Sequence, residues 1–183
     1  MIQVIATIYS LIAVLVAIHI PKRIMINQIY ADLIQDYRSP EMGGAILAIF
    51  RFYVKDCKNN TAIIASKYKE KYNEQIMKPL KAGKPIDYAN TLHFQRRLVF
   101  HFYWHMALFR YEQYFSRLST KKLKLWFTPN EVKLLAILLH MVEPAEAVFE
   151  KANDDLKPPE SKAPANQMIH LINKLYNEVK YWE

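Results

Sequence analysis

From Ile2 to Ile20 the chain runs nineteen residues without a charged side chain. As a helix rising about 1.5 Å per residue, that run matches the roughly 30 Å hydrocarbon thickness of a bilayer. A buried core helix would carry a polar stripe, and Gln3, Thr7, Ser10 and His19 are too sparse to make one. A cleaved signal peptide would show a basic start and a small-residue cleavage site; no Lys or Arg precedes the run, and Ile18-His19-Ile20-Pro21 is no such site. Residues 1–21 therefore read as a transmembrane anchor. Lys22 and Arg23 follow it directly, and basic flanks stay on the cytoplasmic side, so the reading is N-terminus out, bulk of the chain in.

Beyond the anchor, apolar residues recur three and four apart, and no alternating runs with Asn-Gly or Asp-Gly turns occur. The spacing predicts an all-α fold: the N-terminal transmembrane helix, then a cytosolic bundle of about five helices over residues 22–152. The first helix continues through Ile24–Tyr37. Ser39-Pro40-Glu41 combines a capping side chain, a first-turn proline and an early acid, predicting a second helix to about Lys58. Gly43-Gly44 inside it either weakens the helix or permits close packing.

Asn60-Thr61 predicts a third helix to Ile76 or Met77, and two prolines and a glycine predict a loop over Lys78–Pro85. A fourth helix is expected from about Asp87 to Leu118; it is apolar or aromatic nearly all round, which places it at the bundle's centre. Thr128-Pro129-Asn130-Glu131 has capping-box spacing and starts a fifth helix, with a kink expected at Pro144. Residues 153–164 (NDDLKPPESKAP, from Asn153) read as a polar, proline-rich linker, and 165–183 as a C-terminal helix.

Composition narrows the chemistry. The chain has three glycines in its 183 residues, Gly43, Gly44 and Gly83, so glycine-built phosphate loops and a GxSxG nucleophile elbow cannot be assembled. One cysteine, Cys57, rules out a disulfide or multi-cysteine metal site within one chain and suits a reducing compartment.

The net charge of +8 conceals an imbalance. Residues 51–124 hold sixteen basic and five acidic side chains, against three and three before them and six and nine after. Such a surface attracts anions, either the lipid face or nucleic acid, or it serves solubility. Lys121-Lys122-Leu123-Lys124-Leu125-Trp126-Phe127 mixes basic residues with aromatics that settle at headgroup level. It reads as a peripheral membrane contact or as a loop whose Trp126 and Phe127 return to the core. With Lys22 and Arg23, the residues Lys121, Lys122, Lys124 and Trp126 form the candidate membrane or anionic-partner surface.

On the fourth helix His101, His105 and Glu112 fall within about 40° of one another at 100° per residue. His140 and Glu143 lie three apart on the fifth. These are materials for a His/carboxylate metal site between facing helices, although the His-x-x-Glu order is the reverse of the di-iron motif. Structural histidines are the simpler reading, and no metal or other cofactor is assigned. Arg96 and Arg97 enter the same apolar helix, where an always-charged guanidinium calls for a carboxylate, with Asp36 or Glu41 expected as structural ion-pair partners. A phosphate-binding pair is the sharper alternative. The aromatic side chains of this helix read as core rather than base-stacking platforms.

Two stretches, Tyr37-Arg38-Ser39-Pro40-Glu41-Met42 and Arg96-Arg97-Leu98-Val99-Phe100-His101-Phe102-Tyr103 with Ala107, Leu108 and Tyr111, resemble a family of uncharacterised bacterial single-span membrane proteins with a helical cytosolic domain of unknown function. The resemblance covers about Ile24 to Glu150. It implies an inner-membrane location and brings no activity, cofactor or catalytic residue.

The function expected from these features is an interaction or scaffold module at the cytoplasmic membrane face, its partners the lipid bilayer and a protein of unstated identity. A membrane-tethered nucleic-acid-binding module using residues 51–124 is the alternative. A His/Glu metal-dependent bundle enzyme is a weaker one, and enzymatic activity is not the leading expectation.

Overall fold

Four helix starts are set by short polar side chains acting just ahead of apolar runs. The computed structural model describes residues 2–112, 118–153 and 163–182, with side chains at 13, 14, 16–112, 118–142 and 167–182. Helix α1 spans Ile2–Tyr37 with Pro21 inside it. Ser39 Oγ accepts a hydrogen bond from Met42 N at 3.2 Å and Pro40 occupies the first position of α2, Pro40–Lys55; the missing proline N–H costs nothing there. Asn60 Oδ1 caps a single 3₁₀ turn, Thr61–Ile63, which leads into α3, Ile64–Tyr72.

The third predicted helix is interrupted. After Tyr72 the backbone opens into a π-helical segment, Asn73–Met77, before a short α4, Lys78–Lys81, that occupies half of the expected loop. Pro79 fits there because it stands in the first turn.

The central helix starts later and ends earlier than its pattern suggests. Residues Tyr88–Asn90 form a 3₁₀ turn, and Thr91 Oγ1, accepting from Phe94 N at 3.2 Å, opens α5, Leu92–Tyr111. Helix α6, Thr120–Lys124, is an element that periodicity did not disclose, since five residues carry too little pattern. At Thr128 one half of the predicted box is present: Glu131 accepts at 3.2 Å from the backbone N–H of Thr128, while the Thr128 hydroxyl donates to the same carboxylate, at the start of α7, Pro129–Asn153. The helical backbone of α7 continues through Pro144. Helix α8 covers Ala163–Val179; most of the predicted linker lies outside the described residues.

Among the described residues the fold is helical throughout, as expected. Helix α5 is its axis: α2 and α8 pack on it most closely, with α3, α7 and the last turns of α1 completing the enclosure. Val99, Phe100, Phe102, Tyr103, Met106 and Ala107 are all buried along it. Helix α7 contributes Leu134, Leu135, Ile137, Leu138 and Met141, and α8 contributes Leu171, Ile172, Leu175 and Val179. Cys57, just beyond α2, is fully buried, and that burial raises its thiol pKa, with Asp56 adding to the effect.

Gly43 and Gly44 lie in α2 with no atom within 4 Å of where a Cβ would stand, so close packing is not their role. A helical glycine without a packing reason only adds freedom to the unfolded chain. Gly43→Ala and Gly44→Ala are each expected to raise stability by about 0.5–1 kcal/mol, read as a higher denaturant midpoint with unchanged slope; a lower midpoint would refute this.

Candidate functional site

Three regions could act on something outside the fold: the free part of α1, the basic turn at α6, and a buried polar cluster between α3 and α5.

Among the described residues of α1, the contacts with the bundle come from Asn27 onward. Leu33 is buried, and Ile29, Tyr30 and Tyr37 pack partly against the core. Tyr37 forms the principal joint: its hydroxyl donates to Glu131 Oε1 at 2.8 Å, and its ring meets Phe102 and Trp126, each at 5.4 Å between centroids. Burial and the neighbouring carboxylate raise its pKa. Further up, Val14, Val16, Ile18, Ile20 and Ile24 are 47–63% exposed. Lys22 is half-buried and Arg23 exposed. Among the described residues no helix is long and apolar enough to cross a membrane.

The basic turn lies against the same helix. Lys122 Nζ donates to Asn27 Oδ1 at 3.1 Å and sits 4.8 Å from the centroid of the Tyr30 ring, tying α6 to the last third of α1. Lys124 lies over Trp182 at 5.6 Å, and Lys121 is exposed. The placement of Trp126 at headgroup level needs correction. Its ring is packed edge-on against Tyr30 and Tyr37, and Phe127 is buried. Rings that can fill the wedge between α1 and α5 gain more there than at a surface. The apolar side chain that this turn presents outward is Leu125, 73% exposed.

The buried cluster was not legible beforehand. Tyr68 Oη and His93 Nδ1 are 2.8 Å apart, and the rings of Tyr72 and Tyr88 stand 5.0 and 6.0 Å from the imidazole. Burial lowers the His93 pKa to about 4, helped by the positive charges of Arg96 and Arg97, so the ring is neutral at pH 7. Burial lifts the Tyr68 pKa to about 12, with Arg96 opposing it.

The carboxylate expected to pair with Arg96 is absent. Arg96 is 93% buried by the measure of its 7% exposure, yet neither Asp36 nor Glu41 reaches it; its guanidinium lies 5.9 Å from the Tyr68 centroid and 5.5 Å from Phe100. The reason is position along α5. Tyr37, next to Asp36, meets Phe102, six residues and about 9 Å from Arg96 at the helical rise. Aromatic faces take the place of an acid, each worth roughly 0.5–2 kcal/mol. Arg97 is exposed, with Nη1 3.4 Å from the Tyr88 hydroxyl, and is likewise without an acidic partner among the described residues.

The described candidate metal ligands do not converge on one point. Among the described residues no three His, Cys, Asp or Glu side chains gather as a metal ion requires. His101 and His105 flank Trp104 at 5.9 and 4.9 Å, and Glu112 instead accepts from Gln167 Nε2 at 3.1 Å. Burial, then the charge of Arg97, lowers the His101 pKa. His140 is exposed on α7, and the Glu143 side chain lies outside the described residues.

The far end of α5 is fastened by charge. Arg110 binds Glu178 of α8 through Nε (3.2 Å) and Nη2 (2.5 Å), and reaches Leu118 O at 2.6 Å and Thr120 Oγ1 at 2.9 Å; Tyr111 donates to the same carboxylate.

Comparison with family models, curated proteins and solved structures finds no match for this chain.

Proposed function

We propose that the chain is a membrane-anchored helical interaction module, with the N-terminal part of α1 across the bilayer and the bundle held at the cytoplasmic face. The observation that carries this reading is the contrast along one helix. Thirty-six residues of α1 extend about 54 Å, the bundle meets its end from Asn27 onward, and Val14, Val16, Ile18, Ile20 and Ile24 stand exposed before that point. Bare apolar area in water is unfavourable by about 25 cal/mol per Å², and a charge-free helix of this length suits lipid as its cover. Lys22 and Arg23 then mark the cytoplasmic interface, and the exposed Lys121 beside the α1-bound Lys122 faces anionic headgroups. The function proposed for this arrangement is recruitment of a protein partner at the membrane face.

The test is flotation of the full chain with phosphatidylcholine vesicles, followed by alkaline carbonate extraction. The protein is expected to remain with lipid at high salt. Val14→Lys, placing a charge near mid-span at a cost of roughly 3 kcal/mol, is expected to release a large fraction. A full chain that stays in solution without detergent would overturn the proposal. Salt-sensitive DNA binding by that soluble chain would favour the nucleic-acid alternative instead.

A further inference from the structure

On the side of the bundle formed by α2, α3 and the start of α5, a cleft of about 260 Å³ opens to solvent. Its shape follows from three helical stripes. Ala48, Arg51, Phe52 and Lys55 follow one another at i, i+3, i+4 and i+7 on α2, so apolar and basic side chains line the same face. Phe52 and Leu92, 3% and 7% exposed, give it an apolar floor.

The opposite wall is shaped by the π-helical segment, the kind of irregularity that often marks functional sites. Lys71 on α3 and Gln75 within the π turn both line the cleft. Gln75 Oε1 accepts from Leu92 N at 2.9 Å, which brings the amino-terminal, electropositive end of the twenty-residue α5 to the cleft edge.

Charge is distributed unevenly in this cleft. Its one lining carboxylate, Asp56, is 3.4 Å from Lys71 Nζ. No carboxylate answers Arg51 or Lys55 among the described residues, and both are exposed at the mouth. Two uncompensated cations above an apolar floor are complementary to a small compound with an anionic end and a flat apolar body.

We propose that this cleft binds a phosphate monoester, with Arg51 and Lys55 on the phosphate and the organic portion over Phe52 and Leu92. The volume suits a compact metabolite or the head of a phosphate-ended lipid. Asp56 acts in this site as a negative element, holding Lys71 back from the anion.

Phenyl phosphate is the probe, titrated into the full chain in detergent while amide shifts around Phe52, Lys71 and Leu92 are followed. Saturable binding is expected, weakened at least about tenfold by R51Q combined with K55Q. Asp56→Asn, which removes a repelling charge from the cleft and leaves Lys71 with the more distant Glu74 at 3.9 Å, is expected to tighten it. Arg51 and Lys55 are exposed and Asp56 is half-buried, and unchanged thermal midpoints would confirm that folding is intact. Benzyl alcohol should not compete. Competition by vesicles carrying phosphatidic acid assigns the site to a lipid head, and its absence assigns it to a soluble monoester; either supports the proposal. No saturable binding, equal binding by benzyl alcohol, or affinities unmoved by both substitutions would overturn it.

Discussion

Acidification from pH 7 to pH 4 is expected to remove about 3 kcal/mol of folding stability through one side chain, His93. Its pKa is about 4 in the folded protein against 6.5 ordinarily. Above pH 6.5 neither the folded nor the unfolded imidazole is charged, and the contribution is fully present. Between pH 6.5 and 4 the unfolded chain takes up a proton that the folded chain refuses, so stability falls as pH drops, and below about pH 4 the loss levels off. The cause is structural: the ring is buried, Tyr68, Tyr72 and Tyr88 stand around it, and the positive charges of Arg96 and Arg97 act on it. Other groups titrate in this range, so the informative quantity is the difference between the native chain and His93→Gln across pH 4–7.5. That difference should change by about 3 kcal/mol over the window; a flat difference would show that the imidazole is not held neutral by its surroundings.

Glu178→Ala is the substitution expected to do most damage at neutral pH, about 3 kcal/mol by denaturant unfolding. It takes the carboxylate from Arg110, whose side chain is 14% exposed, leaving the neutral acceptors Leu118 O and Thr120 Oγ1, and it leaves the Tyr111 hydroxyl the longer contact with Lys174 O, 3.3 Å away. Breaking a well-buried pair commonly costs 3–5 kcal/mol; the 23% exposure of Glu178 argues for the lower end. The loss should be local in its onset. Amide exchange at Ile172, Leu175 and Val179 on α8 is expected to quicken before that of Val99 and Tyr103 on α5. Replacement of Arg110 and Glu178 together should cost less than the two single losses added, because no lone charge remains. A cost of Glu178→Ala below about 0.5 kcal/mol would place this contact among ordinary surface pairs.

What could be read from the sequence, and what could not, divides along the range of the interactions concerned. Ser39-Pro40 and Thr128–Glu131 were legible because capping is settled within four residues. The central role of α5 was legible because its aromatic residues leave no polar face. His93 escaped notice because its partners come from α3, twenty-five residues earlier in the case of Tyr68, and no spacing rule links them. His101, His105 and Glu112 attracted attention for the opposite reason: helical spacing aligned them, but no ligand from a facing helix joins them among the described residues.

Arg96 illustrates a chemical limit. The need for a partner was evident from its charge, whereas the choice of two aromatic rings over a carboxylate depended on which helix covers that turn of α5. The π-helical segment left no trace in composition, since Asn73–Met77 continues the pattern of α3 and only the shift in backbone pairing reveals it. The cleft was equally hidden. Arg51, Lys55 and Lys71 counted earlier as part of a general basic excess, and their grouping appears once α2 and α3 are placed together. Trp126 had two readings from seven residues of sequence, and its contacts with Tyr30 and Tyr37 decide for the interior.

The sealed position of Cys57 has a practical corollary. With its sulfur shielded from solvent and its ionisation suppressed, maleimide dyes and mild peroxide should leave it untouched. A spin label or fluorophore attached through an engineered surface thiol, on α1 or beside Leu125, would then report from one known place in an otherwise native background.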